Sequence, residues 1–219
     1  MENIYIPFIV SVLISLLLTP IVKRLAIKVG AVDIPKDDRR VHKKPMPLMG
    51  GLAIYISIII TSLIFLPIDK TLISIILGGT IIVISGIIDD VKDLSPRMKL
   101  LFQIVAAIVL ILGDVKIDAI TNPFTKTSKL INLGVFSVPI TIFWIVGITN
   151  TLNLIDGLDG LAAGVAMISS LSFLAVASKF HYIPVMIMSS IIAGGCLGFL
   201  PYNFNPAKIF MGDTGALFL

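Results

Sequence analysis

Apolar residues in this chain gather in long blocks, at roughly 3–22, 48–66, 71–88, 99–113, 134–152, 161–178 and 183–200. About 17–25 residues carry a helix across a bilayer, so each block predicts a membrane helix. The block at 99–113 is short, and its ends are the least sharply marked. An eighth opens after Asp213 and reaches Leu219 within a few residues, so the chain is expected to stop inside a helix. The fold class predicted is all-α: a polytopic transmembrane helical bundle of about seven complete helices plus the start of an eighth, truncated at the C-terminus. It is read as a single integral membrane domain over 1–219, incomplete at that end. The first block lacks the basic n-region and small-residue cleavage site of a signal peptide and is followed by Lys23 and Arg24, so it is expected to remain as a helix with its N-terminus outside.

Composition narrows the class. Charged residues are 14% and hydrophobic residues 57%, with mean hydropathy +1.05, whereas soluble domains carry about 25% charged residues. The net charge of +4 does not indicate nucleic acid, because the cations sit beside apolar blocks, where they set topology. Threading the blocks alternately places loops 23–47, 89–98, 153–160 and 201–213 on one side and 67–70, 114–133 and 179–182 on the other. With Lys99 at its rim, the first side holds twelve of the 17 Lys and Arg residues, which makes it cytoplasmic by the positive-inside rule. The outer loop 114–133 reads as an ordinary surface connection, and Cys196, alone in an apolar run, as a small buried hydrophobe.

The acidic residues are the informative ones. Nine of 13, namely Asp33, Asp37, Asp38, Asp89, Asp90, Asp93, Asp156, Asp159 and Asp213, fall on the predicted cytoplasmic side. Carboxylates gathered at one membrane rim suggest a polar site that holds a cation. Asp89 and Asp90, with Asp93 one turn on, would repel one another unless a cation or the nearby Lys92, Arg97 or Lys99 relieves them; a solvated helix end with ion pairs is the plainer alternative. In Asn150-Thr-Leu-Asn-Leu-Ile-Asp-Gly-Leu-Asp-Gly160, the glycines predict that Asn150 and Asn153 end the fifth helix while Asp156 and Asp159 occupy a tight turn. Such a turn offers oxygens to magnesium or hydrogen bonds to a polar substrate. In Pro201-Tyr-Asn-Phe-Asn-Pro-Ala-Lys-Ile-Phe-Met-Gly-Asp-Thr-Gly215, Asp213 stands where the eighth helix should begin, as a cap or as a metal ligand beside a phosphate. The basic loop Arg39-Arg-Val-His-Lys-Lys-Pro-Met-Pro-Leu-Met-Gly-Gly51 is explained largely as a positive-inside anchor, although Lys43 and Lys44 close to Gly50 and Gly51 could also meet a diphosphate. His42 reads equally as an acid or base and as a solvated loop residue, and His181 as an outer surface residue.

Taken in order, Pro45-Met-Pro-Leu-Met-Gly-Gly51, Asp89-Asp-Val-Lys-Asp93, Asn150 to Gly160 and Phe210-Met-Gly-Asp-Thr-Gly215 resemble the motifs of the polyprenyl-phosphate N-acetylhexosamine-1-phosphate transferases, the glycosyltransferase family 4 superfamily. The resemblance covers essentially the whole chain. It implies transfer of a sugar 1-phosphate from a UDP-sugar to undecaprenyl phosphate, with release of UMP, at the cytoplasmic face of a bacterial membrane. It implies Mg²⁺ as cofactor, with Mn²⁺ as a substitute. Asp89 and Asp90 would act at the lipid phosphate, as base or as nucleophile. Asn153 and Asp213 match positions associated with metal and diphosphate. Gly157, Leu158, Asp159 and Phe210 match the uridine pocket, with Phe210 stacking on uracil, and Lys43 or Lys44 matches a basic residue there. Asn150, Asp156 and Asn203 complete the substrate-binding set, and a homodimer is left open.

The Pro-Met-Pro-Leu-Met-Gly-Gly51 form is more similar to the GlcNAc-1-phosphate transferases that initiate teichoic acid or O-antigen synthesis than to the phospho-MurNAc-pentapeptide transferases, the nearest alternative. Leu48 departs from the arginine frequent in the former group, and Ala216 from the serine of both, without removing a proposed ligand. The resemblance also implies, beyond Leu219, a histidine-rich cytoplasmic loop tied to nucleotide-sugar recognition. A transporter would instead place acidic residues near helix midpoints and break helices in paired halves, and neither pattern is evident.

Overall fold

The computed structural model describes residues 4–35, 45–122 and 130–219. Every predicted block is a helix: α1 Tyr5–Val29, α2 Gly51–Phe65, α3 Lys70–Lys92, α4 Pro96–Leu112, α5 Ser137–Ile155, α6 Leu161–Lys179, α7 Ile183–Asn203 and the short α8 Asp213–Ala216. Five are long and apolar enough to cross a membrane, while α2 and α4 are shorter, with 15 and 17 residues. The chain is an all-α polytopic membrane protein.

Three boundaries differ from the sequence reading in ways that matter to the site. First, α1 continues to Val29, so Lys23, Arg24 and Lys28 are helical and not part of a loop. Pro20 does not stop it, and the chain turns only at Gly30. Second, α4 begins at Pro96, behind the Ser95 hydroxyl that accepts the Met98 N–H at 3.4 Å, which puts Lys99 in its first turn instead of at a loop rim. Third, α7 runs through Pro201 to Asn203, so Asn203 belongs to a helix and not to the loop 201–213.

The most enclosed helix is α7. It packs on α1, α2 and α6 and contributes Ile191, Cys196 and Phe199 to the main core. Gly198 allows the α1 backbone at Val12 to come so close that a side chain there would overlap it. Within the same interface the Ser11 hydroxyl donates to the Ile191 carbonyl at 2.7 Å. The second group of helices is chained: α3 packs on α4 and α8, and α4 on α5.

Two small antiparallel ribbons lie outside the helices. Val32–Asp33 (β1) pairs with Met46–Pro47 (β2), and Ala119–Thr121 (β3) pairs with Leu130–Asn132 (β4), so the connection 114–133 carries a ribbon that its mixed composition did not predict. At that end Lys70 pairs with Asp114 at 2.9 Å, and Asp114 is held below the usual carboxylate range by Lys70. At the other end the helix ends carrying Asp89, Lys99, Asn153, Asn203 and Asp213 converge.

Candidate active site

The four motifs are joined to one another by hydrogen bonds. The Phe210 N–H donates to the Pro47 carbonyl at 2.8 Å, the Gly50 N–H to the Phe210 carbonyl at 2.9 Å, and the Gly51 N–H to the Met211 carbonyl at 2.9 Å. This short strand-like contact lays the first motif along the last. It fixes the path of the chain into Gly212, which takes φ +70° and lies against the Asp90 carboxylate so closely that a methyl group there would collide with it.

Neighbouring residues on a helix point about 100° apart, and this separates Asp89 from Asp90. Asp90 turns towards α8: its Oδ1 accepts the Asp213 N–H at 2.9 Å, and its Oδ2 accepts the Thr214 N–H at 3.3 Å and the Thr214 hydroxyl at 2.6 Å. It thus caps the helix that begins at Asp213, supplying acceptors to N–H groups without intrahelical partners. Gly86, one turn earlier, gives the Thr214 backbone room to lie against α3.

Asp89, 9% exposed, turns the other way. Its Oδ1 accepts the Leu94 N–H at 2.6 Å, while its Oδ2 lies 2.7 Å from Lys99 Nζ. The same nitrogen is 2.6 Å from Asp213 Oδ2, so one ammonium bridges two carboxylates from α3 and α8. Asn153 Nδ2 donates to the remaining oxygen of Asp213 at 3.0 Å. Asp89, Lys99, Asn153 and Asp213 therefore form one contiguous polar cluster.

The turn after α5 folds as its glycines predict, with Asn150 and Asn153 in the helix and Asp156 and Asp159 beyond it. Asp156 is pushed up to about 7, by burial first and then by the charges of Asp213 and Asp90. Gly157 and Leu158 are exposed at the tip of the turn. Asp159 Oδ2 accepts the Asn205 side-chain amide at 3.1 Å and the Ala207 N–H at 3.0 Å. Asn203, 2% exposed, accepts the Gly160 N–H and donates to the Ile209 carbonyl, each at 3.1 Å. Asp159 and Asn203 thus tie the turn to the segment leading into Phe210. Asn150 faces away from this turn, against Gln103 of α4.

Lys43, Lys44 and His42 lie outside the described residues, as do Asp37 and Asp38. Asp33 sits in β1, and Asp93 closes α3 with its N–H on the Asp89 carbonyl. Among the described residues no three His, Cys, Asp or Glu side chains are grouped as a metal cage. The candidate donors, the Asp213 and Asp89 carboxylates, which here face Lys99, and the Asn153 amide, which here turns its Nδ2 to Asp213, carry hard oxygens. That set matches magnesium, which typically takes one or two carboxylates and completes its shell with phosphate and water.

Sequence reasoning gave Lys99 no role beyond charge relief and overlooked Thr214 and Gln103. The signal for Lys99 was Ser95-Pro96, a helix-start pair that turns a loop charge into a first-turn residue aimed at the α3 terminus.

A family model for glycosyl transferase family 4 matches residues 72–219. A Bacillus subtilis (strain 168) protein named probable undecaprenyl-phosphate N-acetylglucosaminyl 1-phosphate transferase is 46% identical, over 100% of this chain and 61% of its own length. A Mycolicibacterium smegmatis (strain ATCC 700084 / mc(2)155) decaprenyl-phosphate N-acetylglucosaminephosphotransferase is 35% identical over 95% of this chain and 55% of its own length. A phospho-N-acetylmuramoyl-pentapeptide-transferase of Halalkalibacterium halodurans is also 35% identical, over 99% of this chain and 70% of its own length. The chain spans less than two thirds of the length of the first two relatives.

Proposed function

The chain belongs to glycosyl transferase family 4, and on that premise we propose that it transfers GlcNAc-1-phosphate from UDP-GlcNAc to undecaprenyl phosphate at the cytoplasmic membrane face, releasing UMP. The observation that carries this reading is the ammonium of Lys99 held between Asp89 and Asp213, at 2.7 and 2.6 Å. Two carboxylates that share one ammonium at the end of a membrane bundle keep a net negative charge that a bound Mg²⁺ would neutralise, and charge neutralisation at the phosphates is the main demand of phosphoryl transfer.

In this reading a lipid phosphate oxygen forms a bond to the sugar-bearing phosphorus, and the bridging P–O bond to UMP breaks. Asp89 is placed for the lipid phosphate, since its carboxylate faces the cluster while that of Asp90 is occupied with α8. It takes up the phosphate proton and passes it to solvent. Lys99 is positioned to neutralise the phosphates as they approach. Asp213 and Asn153 would hold Mg²⁺, which supplies neutralisation of the diphosphate when bound. Phe210, Gly157 and Leu158 would receive the uridine, on two segments that Asp159 and Asn203 tie together.

The 46% identity to a GlcNAc-1-phosphate transferase supports that sugar over the pentapeptide-bearing one, whose cited relative is 35% identical. The test is transfer of radiolabel from UDP-GlcNAc, UDP-GalNAc or UDP-MurNAc-pentapeptide to undecaprenyl phosphate in the full-length protein. Lipid-linked product and stoichiometric UMP from UDP-GlcNAc are expected. Exclusive use of UDP-MurNAc-pentapeptide would replace the proposed substrate.

A further inference from the structure

The two arms that grip Asp213 come from different helices: Lys99 from the first turn of α4 and Asn153 from the last turn of α5. One turn deeper, the next residues on these helices face one another. Asn150 Nδ2 donates to Gln103 Oε1 at 2.7 Å and to the Val146 carbonyl at 2.8 Å, and Gln103 Nε2 returns a longer contact of 3.4 Å to Asn150 Oδ1. Gln103 is 1% exposed, the most polar side chain among the small buried residues of α4, where its neighbours are Ala106 and Ala107.

The rest of α5 buries few side chains among the described residues. Its buried residues, Ser137 and Thr141, are at the far end. Among the described residues, the side-chain hydrogen bonds that join the inner half of α5 to another helix are the Gln103–Asn150 pair and Asn153 to Asp213. Residues spaced i, i+4 (Lys99, Gln103) and i, i+3 (Asn150, Asn153) share helix faces, so the amide pair and the Asp213 grip lie along one interface.

We propose that Gln103, acting through Asn150, is a positioning residue for the phosphoryl transfer proposed above: the amide pair sets the spacing between Lys99 and Asn153 and hence the placement of Asp213. The inference rests on that functional reading. Interhelical amide pairs in membranes also serve as adhesion between helices. Positioning differs from adhesion in one respect: it acts on turnover when fold stability is kept.

Replacing both partners by apolar groups removes the pair without orphaning either amide. Gln103→Leu/Asn150→Leu is therefore compared with the exchanged pair Gln103→Asn/Asn150→Gln, which keeps two facing amides and the same total side-chain length. Both are made in the full-length protein. Thermal unfolding in detergent, transfer kinetics with UDP-GlcNAc and Mg²⁺, and the distance between spin labels at Met98 and Leu154 in a Cys196→Ser background are measured.

The double-leucine protein is expected to unfold near the parent temperature, to show a broadened label distance, and to lose about ten- to a hundredfold in kcat with KM changed only a few-fold, the scale expected for misplacement near 1 Å. The exchanged pair is expected to recover most of the turnover and the narrow distance. Unchanged turnover, an unchanged label distance, or an exchanged pair no better than the double leucine would each overturn the proposal. If the double-leucine protein does not fold, Gln103→Met, which keeps the length without the amide, takes its place under the same criteria. A parent protein inactive with every UDP-sugar would remove the transferase reading, and the label distance alone would then decide whether Gln103 sets the spacing.

Discussion

Asp90 and Thr214 are 124 positions apart in the chain, yet the Thr214 hydroxyl donates to Asp90 Oδ2 at 2.6 Å, and the Thr214 N–H reaches the same oxygen at 3.3 Å. With the Asp213 N–H on Oδ1, the carboxylate serves as the cap of α8. The adjacent Asp89 has a different task, facing Lys99 across 2.7 Å.

This division predicts different losses on substitution. Asp89→Asn should fold with nearly parental stability and lose most turnover, because the cluster keeps its shape but not its charge. Asp90→Ala should lose activity together with stability, by about 1–3 kcal/mol, since it orphans buried donors at the α8 terminus. Thermal unfolding paired with the transfer assay separates the two, and equal destabilisation by both would refute the assignment.

Asp213→Asn should lower kcat far more than it raises the KM for UDP-sugar, because the lost charge matters most where phosphate charge is redistributed. EDTA should abolish transfer by the parent protein, with activity returning on addition of Mg²⁺ and, to a lesser extent, Mn²⁺. Near-parental turnover of Asp213→Asn at saturating Mg²⁺ would reduce this carboxylate to a structural partner of Lys99 and Asn153.

Phe210→Ala should act mainly on binding. Stacking on a base contributes about 1–3 kcal/mol, which corresponds to roughly five- to 150-fold in KM with a smaller change in kcat. Its backbone already joins Pro47 and Gly50, so truncation of the ring leaves the contact between motifs in place. A loss confined to kcat would exclude stacking.

The bundle predicts that cysteines at Lys92, Leu158 and Lys208 share one membrane side, opposite cysteines at Ile68 and Tyr182, in a Cys196→Ser background. An impermeant thiol reagent applied to intact cells should label the second pair only. Labelling of Leu158 without Tyr182 would reverse the orientation.

The helices could be read from the sequence because a bilayer demands long apolar blocks, and all seven appear. The Asn150 to Gly160 turn was equally readable, since Gly157 and Gly160 end a helix by their local chemistry. What escaped was pairing across the bundle. Nothing near Asp90 announces that its acceptors face Thr214, and nothing near Gln103 announces Asn150. Such partners depend on helix rotation and on neighbour choice, which apolar blocks leave open. Asn203 was placed among substrate contacts by its motif, while its amide in the structure joins Gly160 to Ile209.

The strand-like contact between Pro47 to Gly51 and Phe210 to Met211 also orders events during biosynthesis. A ribosome adding about 5–20 residues per second needs on the order of 6–25 s to travel the 123 positions from Asp90 to Asp213. Throughout that interval Asp90 waits for the helix it caps and Gly50 for its carbonyl partner. The candidate cluster is therefore complete only once Asp213 has been made, and a polypeptide halted before Phe210 would carry Lys99 and Asn153 without the carboxylate they hold.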